Sequence, residues 1–313
     1  MAESEDIFLR AKHRTFSGLT EEREWTGPFY FIQAADPQLG LMKAWRDGDC
    51  DGGGDEWAEE VQLTKQAVEA VSRLRPRPRF MVLCGDLVHA MPDTPFRVDQ
   101  ERDLKEALRG TDPSIPLVFV SGNHDLGNTP TPTTVEQYCS AWGDDYFSFW
   151  VGGVLCLVLN SQLFYDASAC PQLKEAQDAW LEEQLSKASS ASSTEPKPKH
   201  ILVFQHIPLY LKSPEEEDDY FNLQTAVRHN LLDRFKRAGV KAVFSGHYHR
   251  NAGGCHGGLD MVVSSAIGCQ LGEDTHGVRV VVVTANDVIH RYHSLEDLSA
   301  RGMDEDLRKL LQA

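Results

Sequence analysis

Five short polar clusters contain the residues of this chain that could do chemistry, and each cluster follows an apolar run. Their functional side chains are carboxylates, amides and imidazoles, and no cluster contains a cysteine. The clusters are Asp36-Pro37-Gln38, Gly85-Asp86, Gly122-Asn123-His124-Asp125, Gln205-His206 and Gly246-His247-Tyr248-His249. Such ligands suit Mn, Fe, Zn or Mg and disfavour a structural zinc site, which usually contains cysteine pairs. The clusters therefore predict a metal centre.

The apolar runs that precede the clusters predict buried strands of a parallel or mixed sheet. These runs are Phe29–Ala35, Phe80–Cys84, Leu117–Val120, Ile201–Phe204 and Val240–Phe244. Ligand sites in such sheets form at the carboxyl ends of the strands, so clusters far apart in sequence can converge at one edge. Together they offer more ligands than one ion needs. Two ions that share a carboxylate are the simplest interpretation, and two-metal sites typically serve displacement at phosphorus.

The ordered set Asp-x-Gln, Gly-Asp, Gly-Asn-His-Asp, His and Gly-His-x-His resembles the five-block signature of the calcineurin-like metallophosphoesterases. The resemblance implies an α/β fold of two packed mixed β-sheets flanked by helices, a four-layer sandwich. It implies a single domain over residues 1–313, with the blocks spread over residues 36–249, and two divalent metal ions, Mn, Fe, Zn or Mg. The blocks at Gly85 and Gly246 further resemble a cytosolic member described as a serine/threonine protein phosphatase.

The resemblance also implies a role for each cluster residue. The residues expected to bind the first ion are Asp36, Gln38, Asp86 and His249. Those expected to bind the second ion are Asp86, Asn123, His206 and His247, so that Asp86 bridges the two ions. His124 is the expected catalytic residue, and as an imidazolium it would protonate the departing alkoxide. The expected reaction is hydrolysis of a phosphoric monoester by in-line attack of a metal-bridging hydroxide, without a phosphoenzyme.

Two positions depart from the pattern of better-known relatives. The first block of the family is usually Asp-x-His, but position 38 is Gln, whose harder amide oxygen should shift metal preference toward Mn, Mg or Fe. Large-family serine/threonine phosphatases carry Gly-Asp-x-x-Asp-Arg-Gly, whose second Asp orients the catalytic His, whereas position 89 here is His. The partner that orients His124 is therefore open, and Asp125 is a candidate only because it is adjacent.

Each cluster alone has a simpler interpretation. A Gly-Asp pair after an apolar run is often a turn, and Asn-His-Asp can begin a helix. Their joint occurrence in order at five strand ends favours the metal centre. The substrate stays open between phosphoserine or phosphothreonine in proteins and, on the same metal core, a phosphodiester or a nucleotide. A module that kept the fold and lost turnover is disfavoured by His124 and by the nearly complete ligand set.

Composition agrees with one enzyme domain in the cytoplasm. The 313 residues are 41% hydrophobic, which allows a substantial core. A net charge of -16 argues against nucleic-acid or anionic-membrane binding, so we expect a phosphoprotein partner and no nucleic acid or membrane. The acidic start, the lack of a long apolar run and seven cysteines without close spacing indicate a reducing compartment. The oligomeric state is not predicted.

Periodicity and turn residues predict the remaining elements. Helices are expected over residues 57–74, 96–108, 172–185 and 223–238, a hairpin over 146–159, and strands over 261–265, 278–284 and 288–294. Residues 188–199 are expected to form a mobile loop, and the acidic run 215–219 a solvated surface rather than a substrate contact. Residues 47–52 resemble the start of a calcium loop, but Ala58 stands where a ligand Glu is required, so calcium is disfavoured.

Overall fold

The computed structural model describes residues 8–50, 54–190 and 196–312. Its strands are β1 (Phe29–Ala34), β2 (Met81–Cys84), β3 (Leu117–Val120), β4 (Phe147–Val151), β5 (Val154–Val158), β6 (His200–Phe204), β7 (Val240–Ser245), β8 (Ala252–His256), β9 (Leu259–Val263), β10 (Gly277–Val283) and β11 (Val288–Ser294). Its helices are α1 (Leu41–Asp47), α2 (Ala58–Arg73), α3 (Arg97–Leu108), α4 (Asn123–Leu126), α5 (Pro132–Trp142), α6 (Ser161–Tyr165), α7 (Pro171–Ser189), α8 (Thr225–Ala238), α9 (Leu295–Arg301) and α10 (Glu305–Leu310).

The strands form two mixed sheets, with orders β11-β10-β1-β2-β3 and β4-β5-β6-β7-β9-β8. In the first sheet β1, β2 and β3 are parallel, β10 pairs antiparallel with β1, and β11 pairs antiparallel with β10. In the second sheet β5, β6, β7 and β9 are parallel, with antiparallel β4 and β8 at the edges. The five strands that precede the polar clusters therefore belong to the parallel parts of the two sheets.

Aromatic side chains join the two sheets between their facing surfaces. Phe31 of β1 stacks on Phe80 with ring centroids 4.7 Å apart. Its edge meets Phe204 of β6 and Phe244 of β7, both at 5.6 Å. All four rings are buried. Because edge-to-face and offset contacts are favoured between aromatic rings, this group fixes the first sheet against the second. The strand ends that carry the clusters are thereby held in one relative position.

Helices cover both outer surfaces. The outer surface of the first sheet packs against α2, α3, α5 and α9, with Val68, Val71 and Leu104 among the buried side chains. The outer surface of the second sheet packs against α7 and α8 through residues such as Leu181 and Phe235. The layers are thus helices, sheet, sheet and helices, so the predicted four-layer α/β fold is confirmed.

The predicted elements match the structure with shifted ends. The four expected helices correspond to α2, α3, α7 and α8, and the expected hairpin corresponds to β4 and β5. One boundary was wrong, because α7 continues to Ser189 and takes the first two residues of the expected loop. Helices α1, α5, α6, α9 and α10 and strand β8 were not predicted. Part of that loop, residues 191–195, and residues 51–52 of the calcium-like stretch lie outside the described residues. No helix in the described ranges has the length and apolarity to cross a membrane.

Candidate metal centre

Tight turns at the strand ends bring the predicted ligands together. Backbone φ is positive at five of them, and the residues are Asp36 (50°), Gln38 (34°), Asp86 (46°), His247 (69°) and His249 (51°). Positive φ is uncommon for residues other than glycine, and such strained conformations cluster at functional sites. The strain is thus concentrated at the residues that the sequence indicated as metal ligands.

Two groups of buried side chains are arranged to hold a cation. Asp86, His206 and His247 form one group, and Asp36, Asp86 and His249 form the other. Within each group the potential ligand atoms lie within 4.8 Å of one another. Asp86 belongs to both groups, as a bridging carboxylate must. The pairs closest in space are Asp86 Oδ2 with His206 Nε2 at 3.2 Å and Asp36 Oδ1 with His249 Nε2 at 3.4 Å.

Backbone carbonyls orient the three imidazoles of these groups. His206 Nδ1–H donates to the Cys84 carbonyl at 2.7 Å, and His249 Nδ1–H donates to the Cys269 carbonyl at 2.6 Å. His247 uses its Nε2–H instead, which donates to the Tyr220 carbonyl at 2.9 Å. Each ring therefore keeps its second nitrogen for a metal, and an anchored second nitrogen is the usual arrangement of metal-binding histidine.

Two amides complete the predicted ligand set. Gln38 is 2% exposed, and its Oε1 has no hydrogen-bond partner among the described residues. Asn123 Nδ2 donates to Asn128 Oδ1 at 3.0 Å and to Tyr220 Oη at 3.1 Å. Asn123 Oδ1 lies 3.2 Å from His206 Nε2. A buried amide oxygen without a donor is costly unless a cation or water meets it, so Gln38 Oε1 fits a metal site, and Asn123 Oδ1 lies beside the His206 nitrogen that faces the centre.

The charges of the centre also fit a cation. The imidazoles of His206 and His124 hold the pKa of Asp86 well below its usual range, although burial acts in the opposite direction. Burial and the neighbouring His206 lower the pKa of His247 to about 3, so that ring is neutral. Burial disfavours charge on His206 too, but Asp86 and Asp36 overcome it and raise its pKa to about 9. A bound metal supplies the same positive charge and competes with that proton.

Glycines of three clusters lie so close to the predicted ligands that a side chain would not fit. The sequence alone does not reveal this requirement. A Cβ added at Gly122 would overlap the Asp86 carboxylate, and one at Gly246 would overlap the Asp36 carboxylate. A Cβ at Gly85 would overlap the ring of His206. The glycines at positions 85, 122 and 246 are therefore required by close packing between the clusters, and Gly85 is required by turn geometry as well.

His124 lies beside the centre but outside both ligand groups. Its Nδ1–H donates to the His89 carbonyl at 2.6 Å, and its backbone N–H donates to Asp86 Oδ1 at 2.8 Å. Its ring stacks on that of His89 at 4.9 Å. Asp125, the adjacent candidate for orienting His124, instead accepts backbone N–H groups of Leu87 and Gly122. The carboxylate expected from other relatives is thus replaced here by a backbone carbonyl.

A cavity of about 420 Å³ opens from the centre to solvent. Its lining includes Gln38, Asp86, His124, His247 and His249, so a substrate can reach the predicted ligands and the predicted catalytic residue. None of the residues of the acidic run 215–219 lines it. Tyr220, which directly follows that run, does line it and contacts both Asn123 and His247. No periodicity or motif pointed to Tyr220.

Known proteins resemble this chain at two levels. A curated "Serine/threonine-protein phosphatase CPPED1" of Danio rerio is 74% identical over 313 residues, which cover 99% of this chain and 100% of that protein. Its Homo sapiens counterpart is 60% identical over 314 residues, covering 99% and 98%. A purple acid phosphatase from yellow lupin seeds superposes with a TM-score of 0.59 at 14% identity, over 86% of this chain and 52% of that chain. A dimetal phosphatase from Danio rerio gives 0.52 at 16% identity, over 85% and 99%.

The two solved structures share the fold with this protein. The model of the family "Calcineurin-like phosphoesterase" matches residues 30–251. The match starts one residue into β1 and ends two residues after His249, so it contains all five clusters. With close relatives over nearly its full length, this chain belongs to the calcineurin-like phosphoesterase family.

Proposed function

We propose that this protein is a metal-dependent phosphatase that hydrolyses phosphoserine and phosphothreonine in proteins. The observation that carries the proposal is the position of Asp86, which is shared by two cation-holding groups while it accepts the backbone N–H of His124. A two-metal site beside a proton donor is an arrangement suited to in-line hydrolysis of a phosphate ester. The choice of substrate rests on the curated relatives, which are named serine/threonine-protein phosphatases.

The proposed ligands follow the two groups. Asp36, Gln38, Asp86 and His249 would hold one ion, and Asp86, Asn123, His206 and His247 would hold the other. The oxygen donors of Gln38 and Asn123 favour Mn, Mg or Fe over Zn. When bound, such a pair of ions supplies Lewis acidity toward the phosphoryl group and lowers the pKa of water.

The protein itself contributes proton transfer and orientation. With its Nδ1–H donated to the His89 carbonyl, His124 holds its transferable proton at Nε2. An imidazolium placed there would donate that proton to the oxygen of the departing serine or threonine. Burial of Asp36, Asp86, His206 and His249 excludes bulk water from the ligands and strengthens every charge interaction with the phosphoryl group.

We also propose that the chain acts as one domain in the cytoplasm. Support for one domain comes from the core between the sheets, to which both sheets contribute. Support for a reducing compartment comes from the cysteines, since no disulfide bond joins any two of them in the described ranges.

A substrate panel tests the function. We expect the metal-loaded protein to hydrolyse a phosphoserine peptide with a higher kcat/KM than a phosphotyrosine peptide, a cyclic nucleotide or an aryl phosphodiester. Asp86→Asn should lose activity on every member of the panel and lose bound metal, because a neutral amide bridges two cations poorly.

The matched control is Asp99→Asn, which changes an exposed carboxylate on α3 that pairs with Arg102. This variant should keep wild-type activity and metal content. A preference for the diester or the nucleotide would replace the proposed substrate class. Near-wild-type turnover in Asp86→Asn, or full activity after exhaustive chelation, would exclude the two-metal reaction.

A further inference from the structure

We propose that the cavity contains an apolar subsite for a hydrophobic or aromatic side chain that flanks the phosphorylated residue of the substrate. This inference rests on the proposed function and narrows its substrate class. The apolar subsite is formed by Leu41, Trp45, Met91, Phe96, Phe221 and Leu271.

The apolar subsite is continuous with the metal centre. Its six residues line the same cavity as Asp86 and His124. The cavity, at about 420 Å³, is of the size that encloses a small ligand rather than a phosphate group alone. A phosphoryl group at the centre therefore leaves room for a neighbouring part of the substrate.

Exposed hydrophobic side chains are concentrated in this cavity. Among the described residues, five large hydrophobic side chains are exposed, and Trp45, Phe96 and Tyr220 are three of them. All three line the cavity, with 52% of Trp45 and 38% of Phe96 accessible. Clustered exposed apolar surface marks a binding site, whereas scattered single residues do not. Their concentration around a catalytic cavity indicates contact with substrate.

The lining of the cavity disfavours charged side chains next to the phosphorylated residue of the substrate. Within the described part of the chain, the lining includes no Lys or Arg, and Asp86 is its only carboxylate. A basic side chain of the substrate would lose water there with no carboxylate other than Asp86 in the lining. For an acidic side chain, the neighbouring cation Arg250 already donates to the carbonyl of Leu271, a lining residue. The net charge of -16 further disfavours an acidic flank. An apolar flank meets neither penalty and gains contact with Trp45 and Phe96.

The walls of the subsite are held in place before substrate binds. Arg97, which follows Phe96, donates to the carbonyls of Ala90 and His124 at 2.9 and 2.8 Å. On the other side, Arg228 is fully buried and donates to the carbonyls of Pro214 and Glu216, at the start of the loop that carries Phe221. A preformed wall loses little conformational entropy on binding, so the contact contributes to affinity.

Four phosphoserine peptides that differ only in both flanking residues test the inference. With Phe, Ala, Glu or Lys at these positions, we expect the Phe peptide to show the highest kcat/KM, about tenfold above the Ala peptide, as partial burial of one aromatic side chain predicts. Trp45→Ala should lower kcat/KM for the Phe peptide more than for the Ala peptide. Trp45→Lys should raise kcat/KM for the Glu peptide.

The control is Val98→Ala, because Val98 is 79% exposed near Phe96 and does not line the cavity. It should keep the wild-type order of the four peptides. Phe96→Asn is a second subsite variant that suits the positive φ of 72° at this position, so the test does not depend on the folding of one variant.

The possible failures are distinguishable. Equal kcat/KM for all four peptides, or a preference for Glu or Lys, would overturn the subsite and leave the phosphatase function standing. An unchanged Phe preference in Trp45→Ala and Phe96→Asn would also overturn it. A protein that hydrolysed none of the four peptides but cleaved another ester of the panel would overturn the proposed function and this substrate class with it.

Discussion

At the scale of single residues, the proposed acid catalysis by His124 can be tested separately from metal binding. Its ring is anchored on the His89 carbonyl and lies in neither cation-holding group. We expect His124→Ala to keep wild-type metal content while turnover falls by about 10²- to 10⁴-fold, the usual contribution of a general acid. The loss should be larger for a phosphoserine peptide than for an activated aryl phosphate, whose leaving group needs little protonation.

Metal analysis and kinetics on both substrates check this expectation. His256→Ala, on the edge strand β8, is the matched control and should behave as wild type. Equal losses on the two substrates, or a His124→Ala protein without metal, would assign His124 to metal binding instead.

We expect Gln38 to set the metal preference of the first proposed position. Its buried Oε1 without a hydrogen-bond partner is a hard oxygen donor, whereas the Asp-x-His pattern of the family has an imidazole at this position. We expect Gln38→His to raise affinity at the first position by about tenfold and to shift preference toward Zn, because imidazole is a softer ligand.

Metal titrations of the wild type and Gln38→His measure this effect. Gln62→His, an exposed position on α2, controls for adventitious binding by an added histidine. The same affinities and the same order of metals in Gln38→His and wild type would show that residue 38 is not a ligand.

At the scale of elements, the turn between a strand and its cluster determines where a carboxylate lies. Gly122 follows β3 with φ of -108°, which alanine adopts without strain, but its Cβ would overlap the Asp86 carboxylate. We therefore expect Gly122→Ala to displace Asp86 and to lower metal content and activity at least about tenfold. Overpacking should reduce the free energy of unfolding by about 1–3 kcal/mol.

Gly254→Ala on β8 is the control, because its added Cβ would meet only the Lys212 carbonyl at 3.4 Å. Metal stoichiometry and urea unfolding of both variants measure the effect of the added Cβ on metal binding and on stability. Full metal occupancy in Gly122→Ala would show that the centre tolerates a shift of Asp86.

The sequence predicts the strand ends well and the loops poorly, for a physical reason. An apolar run followed by a polar cluster is visible in the sequence, and parallel strands place their carboxyl ends together. The contact of Tyr220 with Asn123 joins residues 97 positions apart and leaves no periodicity. The His89 carbonyl that orients His124 is a backbone atom, which every residue type offers. The partner of His124 could therefore not be found from side-chain types.

At the scale of the whole molecule, the sequence does not show which sheet a strand joins. Strand β10 lies near the end of the chain yet pairs with β1, with Phe29 opposite Val283. Both strands are buried throughout and, apart from Gln33 and Arg279, carry no polar side chain, so their pattern is compatible with either sheet. The two-sheet arrangement followed only from the family resemblance.

A buried arginine links the two sheets. From β10, Arg279 donates to Ser264 Oγ at 2.7 Å and to Asn251 Oδ1 at 2.6 Å, on the side of the second sheet. Within its own sheet its Nη1 lies 3.1 Å from His290 Nδ1, which must be unprotonated to accept. Burial and the charge of Arg279 lower the pKa of His290 to about 4. Protonation of His290 would therefore oppose the contact between the sheets.

Stability should consequently fall in acid. In the unfolded chain His290 has its ordinary pKa of about 6.5, whereas in the folded protein its pKa is about 4. The free energy of unfolding should therefore decrease as pH falls below about 6.5, with a contribution of about 1–2 kcal/mol lost by pH 5 after allowance for partial exposure of the ring. His290→Gln offers Arg279 an acceptor that does not titrate. The free energy of unfolding of this variant should therefore decrease less between pH 7.5 and pH 5 than that of the wild type. Urea unfolding of the metal-free proteins at pH 7.5 and pH 5 compares the two losses, and equal losses would show that His290 does not cause the acid sensitivity.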